Sequence, residues 1–294
     1  MKKRPFLMAL LTLGAIFVFF LLLIVVVGKM SGRSSRFVLG DKVGYVTIAG
    51  AITSSEKIIE QIDIFKDDGS VKAIVLRVNS PGGGVSPSQE IYDEVKAAAA
   101  VKPVVVSMGS VAASGGYYIA VPAQRILANP GTITGSIGVI MQFTNVEELL
   151  GKVGLKSQVV KSGLHKDIGS PVRPMSSADR EILQSLIDDV YAQFVQAVAE
   201  SRQMEPEKVR QLADGRIFTG RQALEAGLVD ELGGYQDAIR VAAELAGIKG
   251  KPKVVYPAAD KEELLEYFIQ ETAQLVKHGV QNGDAGLQFL WSGK

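Results

Sequence analysis

An α/β domain built on a largely parallel sheet is the fold class this 294-residue sequence predicts. Three features predict it. Short apolar runs alternate with segments of helical periodicity, several runs are apolar throughout like strands buried within a sheet, and the turns that follow them are rich in glycine. In chain order the strand-like runs are 43–48 (VGYVTI), 71–78 (VKAIVLRV), 104–107 (VVVS), 125–128, 137–141, 158–160 and 253–256. Helical patterns fall between and after them at 54–65, 86–100, 177–201, 205–213, 219–226, 235–246 and 261–277. No internal repeat recurs at a fixed period.

Ahead of the first strand, residues 6–27 (FLMALLTLGAIFVFFLLLIVVV) form a run of 22 residues without a charge. At about 1.5 Å per residue it reaches roughly 33 Å, enough to cross a bilayer. A cleaved signal peptide is the rival, but its apolar core is about 7–15 residues and is followed by small residues suited to cleavage. Here Val25, Val26 and Val27 run into Gly28, Lys29 and Met30, which favours an uncleaved anchor. Lys2, Lys3 and Arg4 precede the run while Lys29, Arg33 and Arg36 follow it, so charge asymmetry is small. A short basic N-terminus before a first apolar span behaves as a signal anchor, and the expectation is a single-pass protein of the cytoplasmic (inner) membrane with its body extracytoplasmic. The organisation expected is therefore 1–28 as cytoplasmic tip and anchor, 29–40 as a polar linker, and 41–294 as one domain. The tail 281–294, with Leu287, Phe289, Leu290 and Trp291, reads either as a docking segment or as a frayed terminus.

Composition excludes several functions. With 32 Lys+Arg against 31 Asp+Glu the chain is not a polybasic nucleic-acid binder. It has no cysteine, hence no disulfide framework, thiolate nucleophile or Cys-ligated metal. Two histidines, His165 and His278, are too few for a multi-histidine metal centre, and no cofactor is expected.

In parallel sheets ligands sit beyond the carboxyl ends of the strands, so the loops there come first. Asn79-Ser80-Pro81-Gly82-Gly83-Gly84 follows VKAIVLRV. It lacks the Lys-Ser/Thr of a Walker A loop, and Pro87 stands at the third glycine of a dinucleotide loop. Its glycines offer either N–H groups for an oxyanion or a plain tight turn. The second loop, 107–118 (SMGSVAASGGYY), sets Ser114 before Gly115 and Gly116, partly like a nucleophile elbow, with Ala112 where that motif has glycine. Ser110, after Gly109, competes with it. In the third, 132–138 (TITGSIG), Ser136 is a nucleophile, an orienting hydroxyl or a turn cap. A serine nucleophile needs a base, and 161–170 (KSGLHKDIGS) places His165, Lys166 and Asp167 side by side without deciding among them.

Together N-S-P-G-G-G at 79–84, G-S-V-A-A-S-G-G-Y-Y at 109–118, T-G-S-I-G-V at 134–139 and S-G-L-H-K-D at 162–167 resemble the signal peptide peptidase A family, the S49 serine peptidases. The resemblance implies a ClpP/crotonase-like spiral of ββα units. It also implies Ser114 as nucleophile, Lys166 as general base, Ser136 orienting the lysine amine, and an oxyanion hole from the Gly115 N–H with one N–H of the Gly82-Gly83 turn. Family members digest leftover signal peptides in the membrane. Longer members carry two tandem copies of the domain, and the short form resembles a ring, of eight subunits by this likeness, whose dyads are shared between neighbours.

The sequence shows no ATPase motif, so the expected substrates are short, unfolded and apolar peptides. The alternatives are a crotonase-like acyl-CoA enzyme, which also holds an oxyanion with two backbone N–H groups, and a non-catalytic membrane scaffold.

Overall fold

The computed structural model describes residues 41–258 and, ahead of them, Gly14, Val18 and Phe19. Most of the apolar run 6–27, the linker 29–40, the helical pattern 261–277, His278 and the tail 281–294 lie outside the described residues. Among the described residues no helix is long and apolar enough to cross a membrane. The chain divides into two compact units, Met1–Gly40 and Asp41–Lys294, and the architecture here is that of the second.

Its elements run β1 (Lys42–Ala49), α1 (Glu56–Asp67), β2 (Val71–Ser80), α2 (Val85–Val101), β3 (Val104–Ala113), α3 (Gly115–Tyr118), β4 (Arg125–Ala128), β5 (Ile133–Gly135), α4 (Glu147–Lys152), α5 (Ser177–Arg202), α6 (Pro206–Leu212), β6 (Ile217–Thr219), α7 (Gly220–Glu225), β7 (Glu231–Leu232), α8 (Tyr235–Leu245) and β8 (Lys253–Val255). The sheet follows the order β6-β5-β3-β2-β1-β8, with β4 joining β3 to β7. Every pairing is parallel except that of β5 with β6.

Alternation along the strands gives the sheet two apolar faces. Ile74, Leu76 and Val78 of β2 join Val104, Val106 and Met108 of β3 against Ile62 and Phe65 of α1, Ile91 and Val95 of α2, and Phe194 and Val198 of α5. On the opposite face Ala73, Val75 and Val105 meet Ala238, Ile239 and Ala242 of α8. Burial on both sides is why these strands read as continuous apolar runs.

β3 positions the site. It pairs with β2 along one edge, while the other edge is taken by β4 at Val105–Ser107 and then by β5 at Val111–Ala113. The ends of β2, β3 and β5 therefore converge, and each opens directly into one of the glycine- and serine-rich loops.

Two expected strands do not form. Residues 137–141 and 158–160 are irregular, with Ile140 86% and Val160 102% exposed. A strand needs a neighbour to satisfy its backbone, and among the described residues these stretches find only one such bond, the Gly215 N–H donating to the Ile137 carbonyl at 3.1 Å. The short β5, β6 and β7 and the helices α3 and α4 were not expected; the strands are of two or three residues each, too short for a periodic signal.

Candidate active site

The chain passes from β3 to α3 through a single residue, Ser114, with φ 53° and ψ −121°. An L-residue holds such a conformation only when its surroundings fix it. Here the Ser114 N–H donates to the Gly135 carbonyl at 2.8 Å, and its own carbonyl accepts from the N–H groups of Tyr117 and Tyr118 at 2.9 Å each. Backbone pinned at both ends leaves the hydroxyl free to stand out from the turn, as in a nucleophile elbow. Among the described residues Ser114 Oγ forms no hydrogen bond. Ser110 instead lies within β3, exposed and outside the cleft that Ser114 lines.

The glycines of the neighbouring loop are required by crowding. A Cβ on Gly83 would stand 2.1 Å from the Ile52 carbonyl oxygen, and one on Gly82, at φ 99°, would stand 2.6 Å from the Gly115 nitrogen. Gly82 donates its N–H to Ser80 Oγ at 3.1 Å. Gly84 donates to the Ile52 carbonyl at 2.8 Å, and Gly82 accepts from the Ile52 N–H at 3.0 Å. This leaves the N–H groups of Gly83 and Gly115 without an acceptor among the described residues. They are neighbours: a Cβ on Gly115 would lie 3.2 Å from the Gly83 nitrogen. Of the two candidates in the Gly82-Gly83 turn, Gly83 is the one with a donor to offer, and paired N–H groups beside a serine can hold an oxyanion.

Ser136 also has a positive φ, 51°, and its N–H donates to the Arg216 carbonyl at 2.8 Å. Ser114, Ser136, Gly83 and Gly115 line one cleft of about 670 Å³. Apolar side chains contribute to its lining, among them Val85, Ile187 and Val190, with Tyr118 edge-on to Phe194 at 4.9 Å between ring centroids. Burial pushes the Tyr118 phenol up, away from ionisation. Asp188 and Asp214 also line it, and the Arg216 guanidinium holds Asp214 down at about 2.

Lys166 is exposed and does not line this cleft. Its loop is braced instead by its neighbours. His165 Nδ1 lies 3.1 Å from Asp179 Oδ1, giving the histidine a carboxylate, but the pair is not at Ser114. Asp179 lies in the first turn of α5, about 12 Å along the helix axis from Ile187, the first residue of that helix to line the cleft, and neither Asp179 nor His165 lines it. Within one chain the structure thus gathers Ser114, Ser136, Gly82, Gly83 and Gly115, and keeps His165, Lys166 and Asp167 apart from them.

Several contributors gave no sequence signal. Ile52 braces the glycine loop by backbone bonds, Ser88 Oγ donates to the Gly84 carbonyl at 2.8 Å just beneath Gly115, and Tyr118 and Phe194 look like ordinary core residues in sequence.

Residues 96–249 match peptidase family S49, and residues 42–132 match the Clp protease family. The chain is 45% identical over 250 residues to a putative protease of Synechocystis sp., covering 85% of this chain and 86% of the relative. It is 40% identical over 188 residues to a putative signal peptide peptidase SppA of Enterococcus faecium, covering 63% and 54%. Among solved structures, a mutant of the membrane-bound stomatin-specific protease 1510-N superposes with a TM-score of 0.51 at 15% identity, covering 76% of this chain and 100% of that one, a likeness of fold.

Proposed function

The chain belongs to peptidase family S49 and is a serine peptidase, and from that premise we propose that Ser114 is its nucleophile, Lys166 its general base, and residual signal peptides and other short unfolded apolar peptides its substrates. The observation that carries this reading is Ser114, held at positive φ beside the unpaired N–H groups of Gly83 and Gly115 in a partly apolar cleft.

Ser114 Oγ attacks the scissile carbonyl while a neutral Lys166 amine takes its proton. Charge developing on the carbonyl oxygen is met by the Gly83 and Gly115 N–H groups, which need no reorganisation because the backbone already holds them there. Lys166 then protonates the departing amine, an acyl-enzyme remains on Ser114, and water activated by the same lysine releases the acid. Ser136, on the cleft wall, hydrogen-bonds the lysine amine and orients its lone pair.

Because Lys166 stands outside the cleft of its own chain, the dyad is formed between subunits of a homo-oligomeric ring, eight in the reading given above. A second observation supports self-association: the segment between β5 and α5 leaves Ile140, Val160 and Leu164 at 86%, 102% and 74% exposure, an apolar surface suited to a neighbour. The run 6–27 tethers the ring to the cytoplasmic membrane with the catalytic domain outside, beside peptides left in the bilayer. Protease added to intact spheroplasts should digest the body; full protection contradicts that orientation.

The test of the dyad mixes inactive Ser114→Ala and Lys166→Ala chains and reassembles them. Recovered peptide hydrolysis, labelled by a fluorophosphonate on the intact Ser114, is expected because some interfaces pair a whole serine with a whole lysine. Confirmed co-assembly without activity refutes the shared site.

A further inference from the structure

We propose that Asp167, Arg173 and Asp179 are positioning residues of the peptidase reaction: their closed ionic network fixes the shape of the loop 161–173 and thereby the point at which Lys166 is offered to a serine. The inference rests on the reading of Lys166 as general base.

The loop forms neither helix nor strand, and Leu164 within it faces solvent. Its far end is tied to the segment before α4, where the Val146 N–H donates to the Pro171 carbonyl at 2.7 Å and the Phe143 ring lies against Gly169. Around Lys166 itself the backbone makes only local turns, Lys166 N–H to the Gly163 carbonyl at 3.2 Å and Ile168 N–H to the His165 carbonyl at 3.1 Å, and what ties that part to the rest of the domain is side-chain bonds. The Arg173 guanidinium grips Asp167 with Nε on Oδ2 and Nη2 on Oδ1, both at 2.9 Å, and Nη2 also reaches the Asp167 carbonyl at 3.2 Å. Its Nη1 turns to Asp179 Oδ2 at 2.7 Å and to the Pro174 carbonyl at 2.9 Å. Lys161 Nζ closes the near side, donating to Asp167 Oδ1 at 2.6 Å and to the Leu164 carbonyl at 2.8 Å.

The whole assembly is moored to a rigid element through Asp179. That residue is the third of α5, its N–H donates to Ser176 Oγ at 3.1 Å in a capping box, and its side chain is only 3% exposed. Its other oxygen meets His165 Nδ1 at 3.1 Å. The residues on both sides of Lys166 are therefore fastened, His165 to Asp179 and Asp167 to Arg173, while Lys166 Nζ bonds to nothing among the described residues. Two cations, Lys161 and Arg173, face two carboxylates, Asp167 and Asp179. The four charges balance, and the role proposed for the network is to place Lys166. A planar fork that bonds two carboxylates at once is geometry that lysine cannot reproduce.

A general base works only within hydrogen-bond reach of its proton, and a misplacement of about 1 Å can cost about 10²-fold in rate. The test is a double-mutant cycle on the full-chain protein, following an activated ester that stays measurable when the base is gone. Arg173→Met is expected to lower kcat by about 10–100-fold with KM within about twofold, Arg173→Lys to recover little of it, and Arg173→Met to cause no further loss once Lys166→Ala is present. Equal losses with and without Lys166, a rise in KM in place of the fall in kcat, or an unchanged kcat overturns the proposal. If Lys166→Ala alone leaves kcat intact, the dyad reading has failed and takes this inference with it. Sedimentation verifies assembly, and if Arg173→Met does not assemble, Asp167→Asn, which keeps the side chain's size, goes through the same cycle with the same outcomes.

Discussion

Replacing Gly83 by alanine separates an oxyanion hole from a plain turn. The added Cβ would land 2.1 Å from the Ile52 carbonyl oxygen and 2.6 Å from the Ile52 nitrogen, well inside contact distance. Relief requires about 1 Å of movement. Ile52 resists it, because its side chain is buried in the apolar core, 3% exposed. The glycine loop moves instead and takes the Gly83 N–H out of the window of about 2.7–3.1 Å in which a donor stabilises an oxyanion. Loss of one such donor lowers kcat by about 10²–10³, or about 2.7–4 kcal/mol of transition-state stabilisation. KM should move by only a few-fold, because the donors matter most once the oxygen carries charge. Steady-state hydrolysis of a fluorogenic apolar peptide reads both constants, with thermal unfolding and sedimentation reporting the fold and the assembly. Gly131→Ala is the control: it has open space within 4 Å and should change neither constant. A correctly assembled Gly83→Ala enzyme with unchanged kcat would refute the assignment.

Ser114→Ala and Ser114→Gly should both abolish hydrolysis, a loss that can reach about 10⁶-fold. Only the glycine variant escapes the strain of φ 53°, so its melting temperature should exceed that of the alanine variant; the reverse order contradicts a strained elbow. The pH dependence of stability follows from Asp167 and Asp179. Arg173 and Lys161 hold Asp167 well below the usual carboxylate range, and His165 and Arg173 do the same for Asp179. Lowered folded-state values mean stability that is present above about pH 4 and lost as pH falls toward the folded values. The melting difference between the parent and Arg173→Met should therefore be largest above about pH 5 and shrink toward pH 3; a difference that grows on acidification contradicts the network. Tyr117→Phe removes the buried hydroxyl that donates to the Leu228 carbonyl at 2.8 Å and should cost about 1–3 kcal/mol in denaturant unfolding, with kcat per folded enzyme retained.

How much of this was legible in the sequence depended on how local its cause was. The strands 43–48 and 71–78 read correctly because burial on both faces leaves a continuous apolar run, and α5 because its apolar positions recur at helical spacing. The loops after β2, β3 and β5 were visible because close backbone approach admits only glycine at Gly82, Gly83 and Gly115, a restriction written at single positions. Choosing Gly83 over Gly82 as donor was not legible, since it turns on Ser80 Oγ taking the Gly82 N–H. Arg173 and Asp179 were invisible for a related reason: an ion pair closed across a loop leaves no periodic mark, and each residue alone resembles a surface charge. The failure at 137–141 and 158–160 is of another kind. Their apolar, β-branched content is that of strands, but a strand is a relation between two segments, and among the described residues only Ile137 finds a backbone partner, the Gly215 N–H. Lys166, the proposed base, shows a similar pattern: among the described residues its Nζ has no partner, and it does not line the cleft. In the proposed ring both absences have one cause, which is that part of the environment for which these residues were selected belongs to the neighbouring copy.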